Sequence, residues 1–233
     1  YADNGVKALS DINLKIEAST VIGIMGGNGA GRSSLLKILC GLETNYDGIF
    51  RVNNIPLKDI HLPSFRSRVG DNLSLETIFH GTIYENITIG RAGISLEQVR
   101  WAIQKVGLQD FVDLQTGGLH AQLLSGGAGL SSSVVRQIIL ARSICGNPDM
   151  LVFDDFYGYL PSPQKKRFLD TLCDEEKNWT VVAATHDPRF LARCDMIHIM
   201  ESGKIVESGN IEALAKSERF NKLIANNLLD FNS

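Results

Sequence analysis

Along the chain, apolar and polar positions alternate between strand-length runs, helix-period stripes and the polar turns that separate them. Val21 to Met25 is a continuous apolar run with the β-branched content of a buried strand. Gly26 to Gly31 is too glycine-rich for the interior of a strand or helix. From Ser33 the period becomes helical, with Leu35, Leu36, Ile38 and Leu39 on or near one face. Met150 to Phe153 and Val181 to Ala184 are short apolar runs between polar residues, which predicts buried, parallel-type strands, with a helix over Gln164 to Leu172 between them. Ser131 to Cys145 predicts a helix from the spacing of Val134, Ile138, Ala141 and Cys145. Ser95 to Val106 predicts another, capped by Ser95 and stopped by Gly107, with a shorter helix over Leu108 to Leu114.

Other stretches carry weaker patterns. Leu9, Ile12, Leu14 and Ile16 predict an antiparallel strand with one covered face inside Tyr1 to Glu17. Tyr46 to Lys58 reads as a hairpin or edge strands around Asp47-Gly48 and Asn53-Asn54. Pro63 to Asn72 leads into a polar loop, and Gly117 to Gly129 is loop. A hairpin joins Met196–Met200 to Lys204–Glu207 through Ser202-Gly203, and Ile211 to Leu229 forms one amphipathic helix. No internal repeat and no low-complexity segment interrupts this order. The alternation of strands and helices predicts an α/β fold around a mostly parallel sheet. Ligands in such sheets sit outside the carboxyl ends of the strands. Three of those ends, Met25, Phe153 and Ala184, are followed at once by the glycine loop, by Asp154-Asp155 and by Thr185-His186.

Strand, glycine loop and helix together form the layout of a phosphate cradle. Glycines let successive N–H groups turn inward, and the helix N-terminus adds positive potential. Gly26, four residues, Gly31, Arg32 and Ser33 follow the phosphate-loop pattern except at its lysine, where Arg32 stands. A glycine loop also makes an ordinary tight turn, so the remaining motifs have to discriminate.

Composition narrows the field. At 233 residues the chain has ample length for a buried core, either as one large domain or as a core with a subdomain. The net charge of −3, with no basic cluster interleaved with aromatics, argues against a nucleic-acid partner. No apolar run in this sequence reaches the length of a membrane span, and no signal peptide is expected. Cys40, Cys145, Cys173 and Cys194 are scattered without metal-ligand spacing, and are expected to be reduced packing residues in a cytosolic compartment. The chain begins at Tyr1 rather than Met, and is expected to be a piece of a longer protein.

Taken together, these motifs resemble the ATP-binding domain of ABC transporters, in detail the exporter branch, over essentially the whole chain. The resemblance implies a P-loop NTPase fold with an antiparallel β subdomain and an α-helical subdomain. The core and β subdomain would occupy about residues 1–73 and 146–233, and the helical subdomain about 74–145. It implies ATP and Mg²⁺ as cofactors. Gly26, Gly27, Asn28, Gly29, Ala30, Gly31, Arg32, Ser33 and Ser34 would hold the phosphates, and Tyr1 would stack on adenine. Ser33, Asp154 and, at the Q-loop position, Ser74 would face the metal. Asp155 takes the place of the general-base glutamate, and His186 that of the switch histidine. Gly81-Thr82-Ile83 with Asn86-Ile87 resembles the exporter segment after the Q-loop. Taken singly, Asp154-Asp155 also reads as a capped strand end and His186 as a structural histidine.

Leu124-Ser125-Gly126-Gly127 spells the family's signature motif, yet Leu130 is the leucine that stands 24 positions before Asp154, as the family spacing requires. Ser131, Ser132 and Ser133 are therefore aligned with the signature, opening a helix toward a phosphate. The same serines also serve as plain N-capping residues. Arg32, Ser74, Asp155, Ser132, Ser133 and the segment Gly158-Tyr159-Leu160-Pro161 depart from the family pattern. The resemblance thus implies Mg-ATP binding with slow or partner-dependent hydrolysis. Its expected partners are a transmembrane domain, in the same or a separate polypeptide, and a second ATP-binding domain arranged head to tail at the cytoplasmic face of a membrane. The transmembrane partner would dock near Ser74 and Leu75 to Leu114. A regulatory or scaffolding module paired with an intact ATPase is the alternative. A soluble repair-type ATPase would need a long heptad run, which this chain lacks.

Overall fold

The computed structural model describes residues 7–73, 77–155, 162–174, 176 and 178–230. Strand β1, Val21–Gly26, leads through the glycine loop into α1, Arg32–Leu39. The short strands β2, Arg51–Val52, and β3, Ile55–Pro56, pair antiparallel across Asn53-Asn54. Both asparagines have positive φ, as the favoured two-residue hairpin turn demands. Helix α2, Leu62–Arg66, and strand β4, Val69–Leu73, follow. The helical layer comprises α3, Ile83–Thr88, α4, Leu96–Val106, and α5, Gln109–Asp113. Strand β5, Gly81–Thr82, precedes α3 and pairs with β6, Gln122–Leu123. Helix α6, Ser132–Ile144, closes the layer and feeds β7, Met150–Asp154. Then come α7, Ser162–Leu172, β8, Thr180–Ala184, and α8, Pro188–Leu191. Strands β9, Met196–Glu201, and β10, Lys204–Gly209, precede α9, Ile211–Leu214, and α10, Glu218–Asp230.

Among the described residues the main sheet has the order β10-β9-β1-β8-β7-β4. All neighbours are parallel except β10, which runs antiparallel to β9. This places the carboxyl ends of β1, β8 and β7 side by side. Side chains alternate between two cores, as the period of a strand requires. Ile22, Ile24, Val152, Val182 and Ala184 pack with Leu35, Leu36 and Leu39 of α1 on one face. Leu151, Phe153, Val181, Ala183, Ile197 and Ile199 pack with α4, α6 and α7 on the other. Phe153 meets Phe168 edge to face at 5.8 Å.

Four expectations are corrected. Residues 7–18 pack Leu9, Ile12, Leu14 and Ile16 against the α1-side core but join no ladder, because Asp11 sits at φ 53 and kinks the extended path. Pro63 to Asn72, read only as a stretch leading into a polar loop, carries most of helix α2 and of the sheet-edge strand β4. Its strand is set by α6: a Cβ on Gly70 would lie 1.9 Å from the Ser143 carbonyl oxygen, and Ser143 Oγ donates to Asp71 O at 2.7 Å. The loop from Gly117 to Gly129 contains β6 and two 3₁₀ turns. The C-terminal helix is broken at Ala215–Ser217, where Ser217 Oγ donates to Glu207 and accepts the Phe220 N–H, opening α10. All four cysteines are free.

Candidate functional site

Two close approaches fix the glycine loop. A Cβ on Gly26 would meet the Met200 carbonyl oxygen at 2.5 Å, so only glycine lets the end of β1 run this close to β9. Gly31 has φ 96, and a Cβ there would meet the Ala8 carbonyl oxygen at 2.7 Å. Between them Gly27, Asn28 and Gly29 are exposed, and the space beside Gly27 and Gly29 is open. Ala30 donates its N–H to Gly27 O, tying the loop into a turn. Gly203, which sequence reading treated only as a hairpin turn, buttresses the loop. Its N–H donates to Ala30 O at 3.0 Å and its carbonyl accepts the Ser10 N–H at 2.9 Å.

Gly31 caps α1 without a side chain. Among the described residues, the N–H groups of Gly29, Gly31, Arg32, Ser33 and Ser34 find no acceptor. Free N–H groups at a helix N-terminus, with the dipole behind them, are what an anion needs. The loop therefore fits a phosphate chain.

Asp154, Ala184 and Ile24 stand in one row across β7, β8 and β1. Asp154 is half-buried and Asp155 exposed, the latter at φ 45 with its N–H donated to Ala184 O at 2.9 Å. A non-glycine residue held at positive φ is uncommon, though aspartate tolerates it better than most. The conformation turns the chain sharply just past the end of β7. Beyond β8, Thr185 donates its N–H to Ile24 O and its hydroxyl accepts the Asp187 N–H, so the backbone on either side of His186 is fastened.

His186 bridges the two halves of the site. The Gly26 N–H faces its Nε2 at 3.5 Å, and Arg32 Nη1 lies 3.5 Å from its Nδ1. Burial, and then the Arg32 charge, hold its pKa below the ordinary histidine value, with Asp155 and the Gly26 contact opposing. Arg32, His186 and Asp155 are thus gathered at one edge of the sheet. For a magnesium ion the available donors are the Ser33 hydroxyl and the Asp154 carboxylate. Among the described residues no group of three or more His, Cys, Asp or Glu could cage a metal. One carboxylate and one hydroxyl, with water and phosphate oxygens completing the shell, suit Mg²⁺, which keeps much of its hydration.

Ser131 to Ser133 are placed elsewhere. Ser131 Oγ accepts the Val134 N–H and caps α6; Ser131 and Ser132 are exposed. No hydrogen bond or ion pair joins them to the glycine loop among the described residues. Leu124 to Gly127 instead forms a 3₁₀ turn fastened by the Gly126 N–H to Ile78 O. Tyr1, Ser74 and Gly158 to Pro161 lie outside the described residues.

Comparison with known proteins decides the family: the model for ABC transporters matches residues 9–157. The chain belongs to the ABC transporter family. This ABC domain is 27% identical over 214 residues to the glutathione/L-cysteine transport system ATP-binding/permease protein CydD of Haemophilus influenzae, covering 92% of the chain and 36% of the relative. It is 29% identical to the alpha-hemolysin translocation ATP-binding protein HlyB of Escherichia coli, covering 92% of the chain and 30% of that protein. The fold superposes with TM-score 0.88 on a bacterial Atm1-family ABC exporter solved with ATP bound, at 22% identity over 97% of the chain and 40% of the other. The ABC domain thus spans about a third of the length of the curated relatives it matches. Its likeness runs to exporter-type, ATP-binding members.

Proposed function

We propose that this ABC domain binds Mg-ATP on the Gly26–Ser34 loop and hydrolyses it slowly to drive an exporter. The observation that carries this reading is the open loop, its N–H groups free, beside Asp154, Asp155 and His186 on adjacent parallel strands. In it the N–H groups and Ser34 bind the phosphates, Ser33 and Asp154 hold Mg²⁺, and His186 marks the γ-phosphate. Mg²⁺, when bound, supplies charge neutralisation at the phosphate oxygens. Asp155 accepts the proton of the attacking water, and Tyr1 stacks on adenine.

Two substitutions slow this chemistry. A guanidinium is planar and bulkier than an ammonium, so Arg32 does not reproduce the lysine contact. Losing one charged hydrogen bond costs about 1.5–3 kcal/mol, or roughly 10- to 150-fold in affinity. Asp155 is one methylene shorter than glutamate, so it reaches about 1.5 Å less far toward the water.

The domain works as one of two, head to tail, each nucleotide lying between one phosphate loop and Ser131–Ser133 of the other domain. A transmembrane domain docks near Ser74 and the Leu75–Leu114 segment, where Phe79, Ile89, Leu96 and Leu114 are exposed, and sets the module at the cytoplasmic face of a membrane. The chain's own described helices are none of them long and apolar enough to cross one.

A second reading, a regulatory module beside an intact ATPase, is favoured by the Arg32–His186 contact, which occupies two groups the chemistry would use. Steady-state ATPase activity of the domain, alone and with a sister domain, separates the two. The first reading expects slow turnover abolished by Asp155→Asn; turnover unchanged by that substitution would overturn it.

A further inference from the structure

Away from the nucleotide edge, α4 and α7 line an open surface hollow of about 630 Å³ formed by Gln104, Lys105, Pro163, Lys166, Arg167 and Asp170, with Thr171. Trp101, one turn before Lys105, stacks at a tilt on Trp179, whose Nε1 donates to Leu172 O at the end of α7. At the other end Arg167 Nη1 would lie 3.0 Å from a Cβ on Gly107. Lys105 from the last turn of α4 and Lys166 and Arg167 from the middle of α7 therefore line one hollow.

The charge balance of that hollow is one-sided. Its only carboxylate, Asp170, is committed to Arg193 at 2.6 Å. Among the described residues, Lys105, Lys166 and Arg167 make no ion pair. Three cations facing one space repel one another, and a chain of net charge −3 has carboxylates to spare elsewhere. Lys166 and Arg167 are exposed and Lys105 half-buried, so water screens much of that repulsion, and an anion seated among them would gain from all three charges. The hollow has the volume of a small-molecule site, and it lacks the extended basic track that a nucleic-acid backbone would need.

We infer that the α4–α7 hollow binds a small organic phosphate carrying two or more phosphate groups, held by Lys105, Lys166 and Arg167 with Gln104 as a neutral donor. Arg167 offers a fork suited to one phosphate, and the two lysines act as point charges on the other. The site is independent of the nucleotide reading, since no phosphate-loop residue lines it.

The test is a titration of the protein with fructose 1,6-bisphosphate, followed by the fluorescence of Trp101 and Trp179, the chain's two tryptophans. Saturable quenching or a wavelength shift is expected, weakening as salt is raised. The triple substitution Lys105→Gln, Lys166→Gln, Arg167→Gln is expected to weaken it at least tenfold. Arg100→Gln, on α4 but outside the lining, is expected to leave it within twofold. A thermal melt of each variant confirms folding. Absence of saturation, equal loss in the Arg100 variant, or response to a poly-glutamate peptide in place of the bisphosphate would overturn the inference.

Discussion

The Arg32 guanidinium and the His186 ring meet at 3.5 Å, and the ring's other nitrogen faces the Gly26 N–H at the same distance. Arginine and the backbone amide are both donors only, whereas a neutral imidazole has a single acceptor nitrogen. The ring can satisfy one of the two neighbours at a time, and an imidazolium neither. Burial, and then the Arg32 charge, lower the pKa of His186, while the contact keeps the guanidinium beside the ring. Replacing Arg32 with lysine removes the fork that reaches His186 and restores a compact charge. Arg32→Lys is expected to tighten Mg-ATP binding by about tenfold or more, the lower end of the cost of one charged contact. Equal or weaker affinity by isothermal titration would refute that account of Arg32.

The pH dependence of stability follows from two histidines. His186 and His198 both have folded pKa values below the ordinary 6.5, His198 through burial on β9, where its Nδ1 faces Ser208 Oγ at 2.7 Å. A histidine lowered in this way binds fewer protons folded than unfolded between the two pKa values. Its contribution is complete above about pH 6.5 and is lost as pH falls through the folded value. The melting temperature is expected to drop from pH 7.5 to pH 5.5, and His198→Asn to shrink that drop. A larger drop in the variant would contradict the assignment.

Gly31→Ala tests the loop's backbone. The residue would have to hold φ 96 with its Cβ against the Ala8 carbonyl. Left-handed backbone alone costs about 1–2 kcal/mol, and the overlap adds to it. Denaturant unfolding should show a loss of at least about 2 kcal/mol, accompanied by weaker nucleotide binding.

Gly70→Ala tests the edge of the sheet. A Cβ at 1.9 Å from the Ser143 carbonyl oxygen forces β4 and α6 apart. Overpacking of this kind costs about 1–3 kcal/mol. A variant with wild-type stability would show that the β4–α6 approach is looser than the structure has it.

Serine substitutions locate the signature. Ser131→Ala removes the α6 cap, costing about 1 kcal/mol, and is expected to lower turnover of the paired domains beyond what that stability loss explains. Ser125→Ala, in the 3₁₀ turn, should leave turnover near wild type. The opposite result would place the signature at Leu124.

Much of this was legible in the sequence, for a local reason. β1, β7 and β8 are apolar runs that need no partner to announce themselves, and α4 carries its capping box, Ser95 with Gln98, within four residues. The glycine loop is legible because its constraint is written in residue type. β4 is not, since its sequence Val-Gly-Asp-Asn-Leu becomes a strand only because α6 needs a glycine and a backbone acceptor there. The break before α10 depends on Ser217 reaching Glu207 on β10. The pairing of Arg32 with His186 spans 154 positions, and no local pattern encodes it.

The central claim is that the Gly26–Ser34 loop holds the phosphates of a nucleotide with arginine in place of lysine. Isothermal titration of the purified domain with Mg-ATP addresses it directly. The account predicts one saturable site per chain, filled at millimolar nucleotide and weakened in Gly31→Ala. No binding by the well-folded wild-type domain at millimolar Mg-ATP would contradict it.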